Sequence, residues 1–143
     1  MSSTKTKSTR MDMVIDFNQE ILGIEPRPIG MQPPHEAALS YTQLIEEARE
    51  YQEAIGRVDF VECVDAILDG LYFSYGILYK MGSSEEVVNK LFTAIHGANM
   101  SKAKGVKKGR EGFKNSADAI KPPTWVDPKQ LISEILKDEL NNS

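Results

Sequence analysis

The sequence predicts an all-α protein, a compact bundle of four to five helices that associates as an obligate homo-oligomer. Three observations carry that prediction. Apolar residues recur at three-and-four spacing in successive segments of the 143-residue chain. Glycine or proline punctuates the gaps between most of these segments. No segment reads convincingly as part of a β-sheet, and no internal repeat is present. The length allows one domain with a true core and hardly two, so residues 11–143 are expected to form a single domain behind a disordered tail at 1–10.

The elements follow in order. Residues 1–10 are small, polar and basic. Met11 to Leu22 places Val14, Phe17, Ile21 and Leu22 on one face of a short helix that Gly23 ends. GIEPRPIGMQPPHE, with four prolines and two glycines, cannot continue a helix and reads as a long loop. Glu36 to Ile55 is a second helix with Leu44, Ala48, Tyr51 and Ile55 as its expected inner face, broken at Gly56 and Arg57. Val58 to Met81 is expected as a long, buried third helix closed by Gly82. Ser83 or Ser84 caps a fourth, with Glu85 and Glu86 in its favourable first turn.

From Ser101 to Lys121 seven basic residues face only Glu111 and Asp118, with three glycines and little periodicity. That is a flexible loop or a short hairpin. KPPTWVDP is rigid, and Pro128 or Lys129 opens the last helix, QLISEILKDEL.

Composition narrows the function classes. A net charge of −4 and a pI near 5.2 argue against a protein that coats nucleic acid. No apolar run reaches membrane-spanning length and no secretory segment follows the N-terminus, so a cytoplasmic location is expected. Cys63 is the single cysteine, which excludes an internal disulfide. It reads as a buried structural thiol.

The acids carry the chemistry. Within FVECVDAILDGLYF, Glu62, Asp65 and Asp69 share one stripe of an apolar helix. Grouped carboxylates against a core need a positive charge to neutralise them. Hard divalent cations take oxygen ligands, so Mg²⁺ or Mn²⁺ is the expected cofactor. The second helix supplies Glu46, Glu47 and Glu50, with Glu47 and Glu50 three apart on one face. Taken alone, these three beside Arg49 would be a solvated surface. If the two helices pack antiparallel, Glu47, Glu50, Glu62, Asp65 and Asp69 can converge on metal. Further on, Asn99 and Lys102 are again three apart, past the expected end of the fourth helix. A lysine there is ordinarily a solvated charge favoured by the helix dipole, but beside an acidic metal site it suits a polyphosphate. His96, on the same element, reads first as an ordinary surface histidine.

In this order and spacing, EEAREYQEA, ECVDAILDGLYFSYG and HGANMSK resemble the all-α nucleoside triphosphate pyrophosphohydrolases. These form the MazG superfamily, here most similar to its small phage and bacterial branch related to phosphoribosyl-ATP pyrophosphohydrolase. AIKPPTWVDP resembles the tail of that branch, and the similarity spans about Phe17 to Leu136.

The resemblance implies a hydrolase acting on acid anhydrides that cleaves between the α and β phosphates, giving a nucleoside monophosphate and pyrophosphate. It implies a homodimer or homotetramer using Mg²⁺ or Mn²⁺. The family's ExxE acids fall on Glu47 and Glu50 and its ExxD acids on Glu62 and Asp65, with Asp69 one turn beyond. Glu46 would orient or deprotonate water. The family's lysine and asparagine fall on Lys102 and Asn99, with Lys104 and Lys121 as further phosphate contacts. The Pro-rich loop and the Trp125 segment are the places expected to close over the base. Trp125 is either a stacking platform for it or a packing anchor for the last helix.

The expected substrate is a purine deoxynucleotide such as dGTP (or GTP), the alternatives being dCTP, dUTP or phosphoribosyl-ATP. Two readings of another class stand beside these. One is a nucleic-acid-binding module built on 101–121, which would bind with a steep salt dependence. The other is a purely structural helical oligomer whose acids are paired across an interface.

Overall fold

The computed structural model describes residues 9–110, 112 and 118–142. Among them the chain forms five helices and one pair of short strands: α1 (Arg10–Glu20), α2 (Pro34–Gly56), α3 (Phe60–Lys80), α4 (Glu85–Met100), β1 (Ala103–Gly105), β2 (Asp118–Ile120) and α5 (Lys129–Asn141). The architecture is all-α, and the strand pair is its one extended element. Backbone contacts divide the chain into two units, Met1–Glu85 and Glu86–Ser143. Of the expected tail, residues 1–8 lie outside the described residues, as do Glu111 and Lys114 of the basic stretch. Thr9 and Arg10 belong to α1: the Thr9 hydroxyl accepts the Asp12 N–H at 3.1 Å and caps the helix.

The first unit is organised by the α2–α3 hairpin, whose connection is three residues long. Val58 N–H donates to the Ile55 carbonyl and Asp59 N–H to that of Ala54, each at 3.0 Å, the double closure of a Schellman turn. Val58 occupies the left-handed position of that turn at φ 54°, where a β-branched residue is strained. Asp59 then caps α3, accepting the Glu62 N–H at 3.1 Å. So short a link forces the two helices antiparallel. Their register places Glu47 opposite Gly70, where an added Cβ would stand 3.9 Å from the Glu47 Cβ.

This register corrects the expected inner face of α2. Ser40 and Ala54 are buried and Leu44 and Glu47 half-buried, whereas Ala48, Tyr51 and Ile55 are exposed. The seam therefore carries Glu47 in place of its neighbour Ala48. α1 packs on α3 through Gly76, whose missing Cβ would meet the Asn18 amide nitrogen at 3.4 Å and Val14 at 3.8 Å. Phe17 meets Tyr72 edge to face at 5.5 Å.

The Pro-rich loop is strapped down rather than loose. Arg27 grips the Glu36 carboxylate with two hydrogen bonds of 2.7 and 2.8 Å and reaches the Lys80 carbonyl at 3.3 Å. That guanidinium holds the Glu36 carboxyl down at about 2, against an ordinary 4.5. Gln32, buried, donates to Glu36 and to the Ser40 hydroxyl, and the Tyr79 hydroxyl donates to the Ile24 carbonyl at 2.6 Å. Gly82, at φ 91°, ends α3 where a Cβ would lie 2.5 Å from the Pro28 backbone. Only glycine fits there.

The third helix departs from the burial expected of it. Ala66, Gly76 and Tyr79 are its buried residues, while Phe60, Val61 and Leu68 remain 80, 72 and 57 % exposed. Two partner helices, α1 and α2, cannot cover a helix that is apolar on more than one face. Cys63 is accordingly half-buried rather than enclosed.

In the second unit α4 continues through Met100, so Asn99 lies within its last turn and not beyond it. Lys90 bridges to Glu86 and to Glu139 of α5 at 3.3 and 3.2 Å. β1 and β2 pair antiparallel with Ala103 opposite Ile120, which resolves the expected loop or hairpin into a short ladder. None of the described helices is long and apolar enough to cross a membrane.

Gly82→Ala is expected to lower unfolding stability by at least about 2 kcal/mol, because the left-handed backbone and the Pro28 contact act together. Val58→Gly, relieving the same conformation at an exposed site, is expected to add about 1 kcal/mol. Urea titrations of the two variants check both signs.

Candidate active site

The hairpin register decides which acids meet. Glu50 lies one turn from Glu47 on α2, and Asp69 sits beside Gly70, directly across from Glu47. Asp65 follows one turn nearer the hairpin. Burial together with the charges of Glu50, Asp69 and Asp65 pushes the Glu47 carboxyl up to about 7, from an ordinary 4.5. A hydrogen bond to Glu50 adds to the shift. Glu47 Oε2 is buried and has no hydrogen-bond partner. Among the described residues, none of the acids at 46, 47, 50, 62, 65 and 69 is paired with a lysine or arginine.

The remaining expected residues are placed less centrally. Glu46 is exposed, one position away from the seam. Glu62 lies in the first turn of α3, eight residues before Gly70, which is about 12 Å along a helix. Asn99, Lys102, Lys104, Lys121 and Trp125 all belong to the second unit. There the Lys102 and Lys121 ammonium groups stand 5.5 and 4.5 Å from the centre of the Trp125 ring. The indole N–H donates to the Ala98 carbonyl at 2.7 Å. Lys104 is exposed on β1, and His96 is exposed on α4.

The donor set of the acidic cluster suits a hard divalent cation: it is entirely carboxylate oxygen, and one of those oxygens is buried without a partner. As the side chains stand, no three Asp, Glu, His or Cys groups among the described residues are gathered tightly enough to chelate an ion. Like charges repel, and Glu50, Asp65 and Asp69 occupy exposed positions where their side chains can rotate inward.

One buried polar side chain beside the acids was not foreseen. A pocket of about 140 Å³ lies one turn from the acids, lined by Phe17, Asn18, Gln43, Tyr72 and Phe73 among others. Gln43 is four residues before Glu47, and Phe73 four after Asp69. Asn18 is 2 % exposed; its amide donates to the Val14 carbonyl at 2.9 Å, while its Oδ1 has no partner. The one signal in the sequence was an amide, Asn18, directly beside the apolar face of the first helix.

The match to known sequences agrees with this arrangement. The sequence model of the phosphoribosyl-ATP pyrophosphohydrolase family covers residues 14–99, from the first helix to the last turn of α4. The chain belongs to that family. Its members are pyrophosphohydrolases of the MazG-like all-α superfamily, hydrolases of acid anhydrides that generally depend on a divalent metal. The matched segment contains the three helices that assemble the acids and the pocket. No curated protein matches the chain.

Because its folded pKa lies above the unfolded value, Glu47 favours folding below about pH 4.5 and opposes it increasingly as pH rises through about 7. In EDTA, Glu47→Gln is therefore expected to raise Tm above wild type by about 2–6 °C at pH 8. The difference should vanish near pH 4.5, and thermal melts at the two pH values check it.

Proposed function

We propose that this chain is a Mg²⁺- or Mn²⁺-dependent nucleoside triphosphate pyrophosphohydrolase that cleaves the α–β anhydride to a monophosphate and pyrophosphate. The observation that carries the reading is the half-buried Glu47, one carboxylate oxygen of which has no partner, with Glu50, Asp69 and Asp65 near enough for their charges to push its carboxyl up. Glu47, Glu50, Asp65 and Asp69 would hold the cation, with Glu62 flanking them from the hairpin end. A divalent ion there supplies charge neutralisation at phosphate and acidifies water.

The chain's own groups do the rest. Glu46 and Glu47 are the acids assigned to the attacking water, to orient it and to take its proton. Lys102, Lys104 and Lys121, with Asn99, are assigned to phosphate oxygens by their chemistry.

The base is assigned to the pocket beside the acids rather than to Trp125, whose ring already faces two ammonium groups. The apolar walls of Phe17, Tyr72 and Phe73 suit a planar ring, and Asn18 Oδ1 accepts an N–H from its edge. A purine deoxynucleotide such as dGTP remains the preferred substrate, and dCTP, dUTP and phosphoribosyl-ATP are the competitors. Homodimers or homotetramers are part of the proposal, supported by the exposed Phe60, Val61 and Leu68 along α3.

A panel of nucleotides with Mg²⁺, resolved by chromatography, tests the bond of cleavage. Monophosphate plus pyrophosphate is expected, abolished by EDTA, whereas diphosphate plus orthophosphate refutes the reading. Glu47→Gln and Asp65→Asn are each expected to cost at least about a hundredfold in kcat with helix content unchanged. Glu62→Gln should cost less than about tenfold.

Replacing the buried acceptor, Asn18→Leu keeps the pocket filled. It is expected to raise KM for the preferred nucleotide about tenfold while leaving kcat within about twofold. Steady-state kinetics across the panel check this, and an unchanged KM would move the base elsewhere.

A further inference from the structure

We infer that the pocket beside the acids reads the lactam edge of a keto base, a ring N–H next to a carbonyl oxygen, with Asn18 and Lys80 as its specificity-determining residues. This rests on the proposed reading that the base occupies that pocket. It narrows the substrate class to nucleotides of guanine, hypoxanthine, uracil or thymine.

Asn18 has a fixed polarity. Its Nδ2 donates to the Val14 carbonyl at 2.9 Å and is the atom nearest the place a Gly76 Cβ would take, at 3.4 Å. Turning the amide over would set Oδ1 against that carbonyl, two acceptors face to face, and lose the bond. Oδ1 is buried and has no partner, so it is the atom that the amide offers to the pocket it lines. A carbonyl oxygen accepts a hydrogen bond and cannot donate one. A ligand that presents another acceptor there leaves it unpaired and adds repulsion.

The helices set the order of the polar groups along the pocket. Gln43 lies one turn before Glu47 on α2. Because α2 runs antiparallel to α3 and Glu47 faces Gly70, Gln43 comes level with Ser74. Asn18 packs on Gly76, about 3 Å further along α3, and Lys80 follows about 6 Å beyond that, one turn after Gly76. All three line the pocket. Asn18 is thus the middle one, with an amide on the side of the acids and a lysine on the other. Among the described residues the Lys80 ammonium forms no ion pair. Glu36 feels its charge, but that carboxylate is already bound twice by Arg27.

The pairing edge of a base has a ring nitrogen in the middle and an exocyclic group beside it. In guanine, hypoxanthine, uracil and thymine the nitrogen carries a proton and its neighbour is a carbonyl oxygen. Asn18 accepts from the first, and the ammonium, which has donors only, gives to the second. In adenine and cytosine the nitrogen is a bare acceptor beside an amino group, so both contacts set like against like. Gln43 meets the third position, the guanine amino group or the pyrimidine carbonyl, by turning its amide.

Calorimetry with deoxynucleoside monophosphates in EDTA tests the reader apart from catalysis. The deciding pair is dGMP and its 2-aminopurine analogue, which keeps the ring size and the amino group but lacks both the N1–H and the 6-carbonyl. The full-length protein is expected to bind dGMP at least about tenfold more tightly, and dIMP over dAMP by a similar factor. Lys80→Met keeps the stem, removes the ammonium and should bring both ratios down towards one. Asn18→Leu should do the same. Lys80 is only half-buried, so its variant answers even where Asn18→Leu fails to fold.

Equal wild-type affinity for dGMP and the analogue would overturn the reader, as would no saturable binding of any keto nucleotide. So would a Lys80→Met variant that weakens all the monophosphates alike, since its ammonium would then serve phosphate. Triphosphates with Mg²⁺ separate the two conclusions. Cleavage indifferent to the base sinks the reader and leaves the hydrolase standing, whereas keto-selective binding without cleavage does the reverse.

Discussion

A carboxylate occupies a seam position that helix packing ordinarily reserves for an apolar side chain, and the first unit is arranged around that one residue. Glu47 lies between Leu44 and Ala54 on the stripe of α2 that meets α3. It fits because α3 presents Gly70 across from it, with no side chain to compete for the space. The result is costly in an isolated chain: burial and three neighbouring negative charges drive the carboxyl towards neutrality. Such a group is relieved by protonation or by a nearby cation. That is why its environment speaks for function rather than for packing.

Holding this arrangement requires a rigid hairpin, and the backbone supplies it at both ends. The Schellman closure at Ile55–Asp59 accepts a strained Val58 in return for a three-residue link, and Asp59 serves the turn and the start of α3 together. At the far end the loop before α2 is fastened by Arg27 and Glu36, and Gly82 lets its backbone pass against the end of α3. Sliding α2 by one residue would replace Glu47 with Glu46 or Ala48 at the seam and scatter the acids. The fold is strong where the register must not slip.

The second unit applies the same logic to positive charge. Asp118 takes up Lys107 and Arg110, while the ladder and the indole collect Lys102 and Lys121 without neutralising them. An abundance of basic residues in this stretch thus separates into structural and available cations.

Much was legible in the chain itself. Helical spacing, the glycine and proline stops, and the acids at 47, 50, 65 and 69 all follow from local chemistry that does not depend on distant neighbours. Five helices and the acidic pairs were therefore predictable. What sequence periodicity could not convey was phase: Glu47 and Ala48 are adjacent, and only the packing of α3, through Gly70, decides which one faces inward. The same holds for Asn18, whose unpaired oxygen exists because Gly76 lets α1 approach, and for Trp125, whose ring is claimed by lysines that a strand register brings together. Residue types and their spacing determined the chemistry on offer. Long-range packing decided which groups share a site, because burial, charge proximity and a missing partner are properties of neighbours in space.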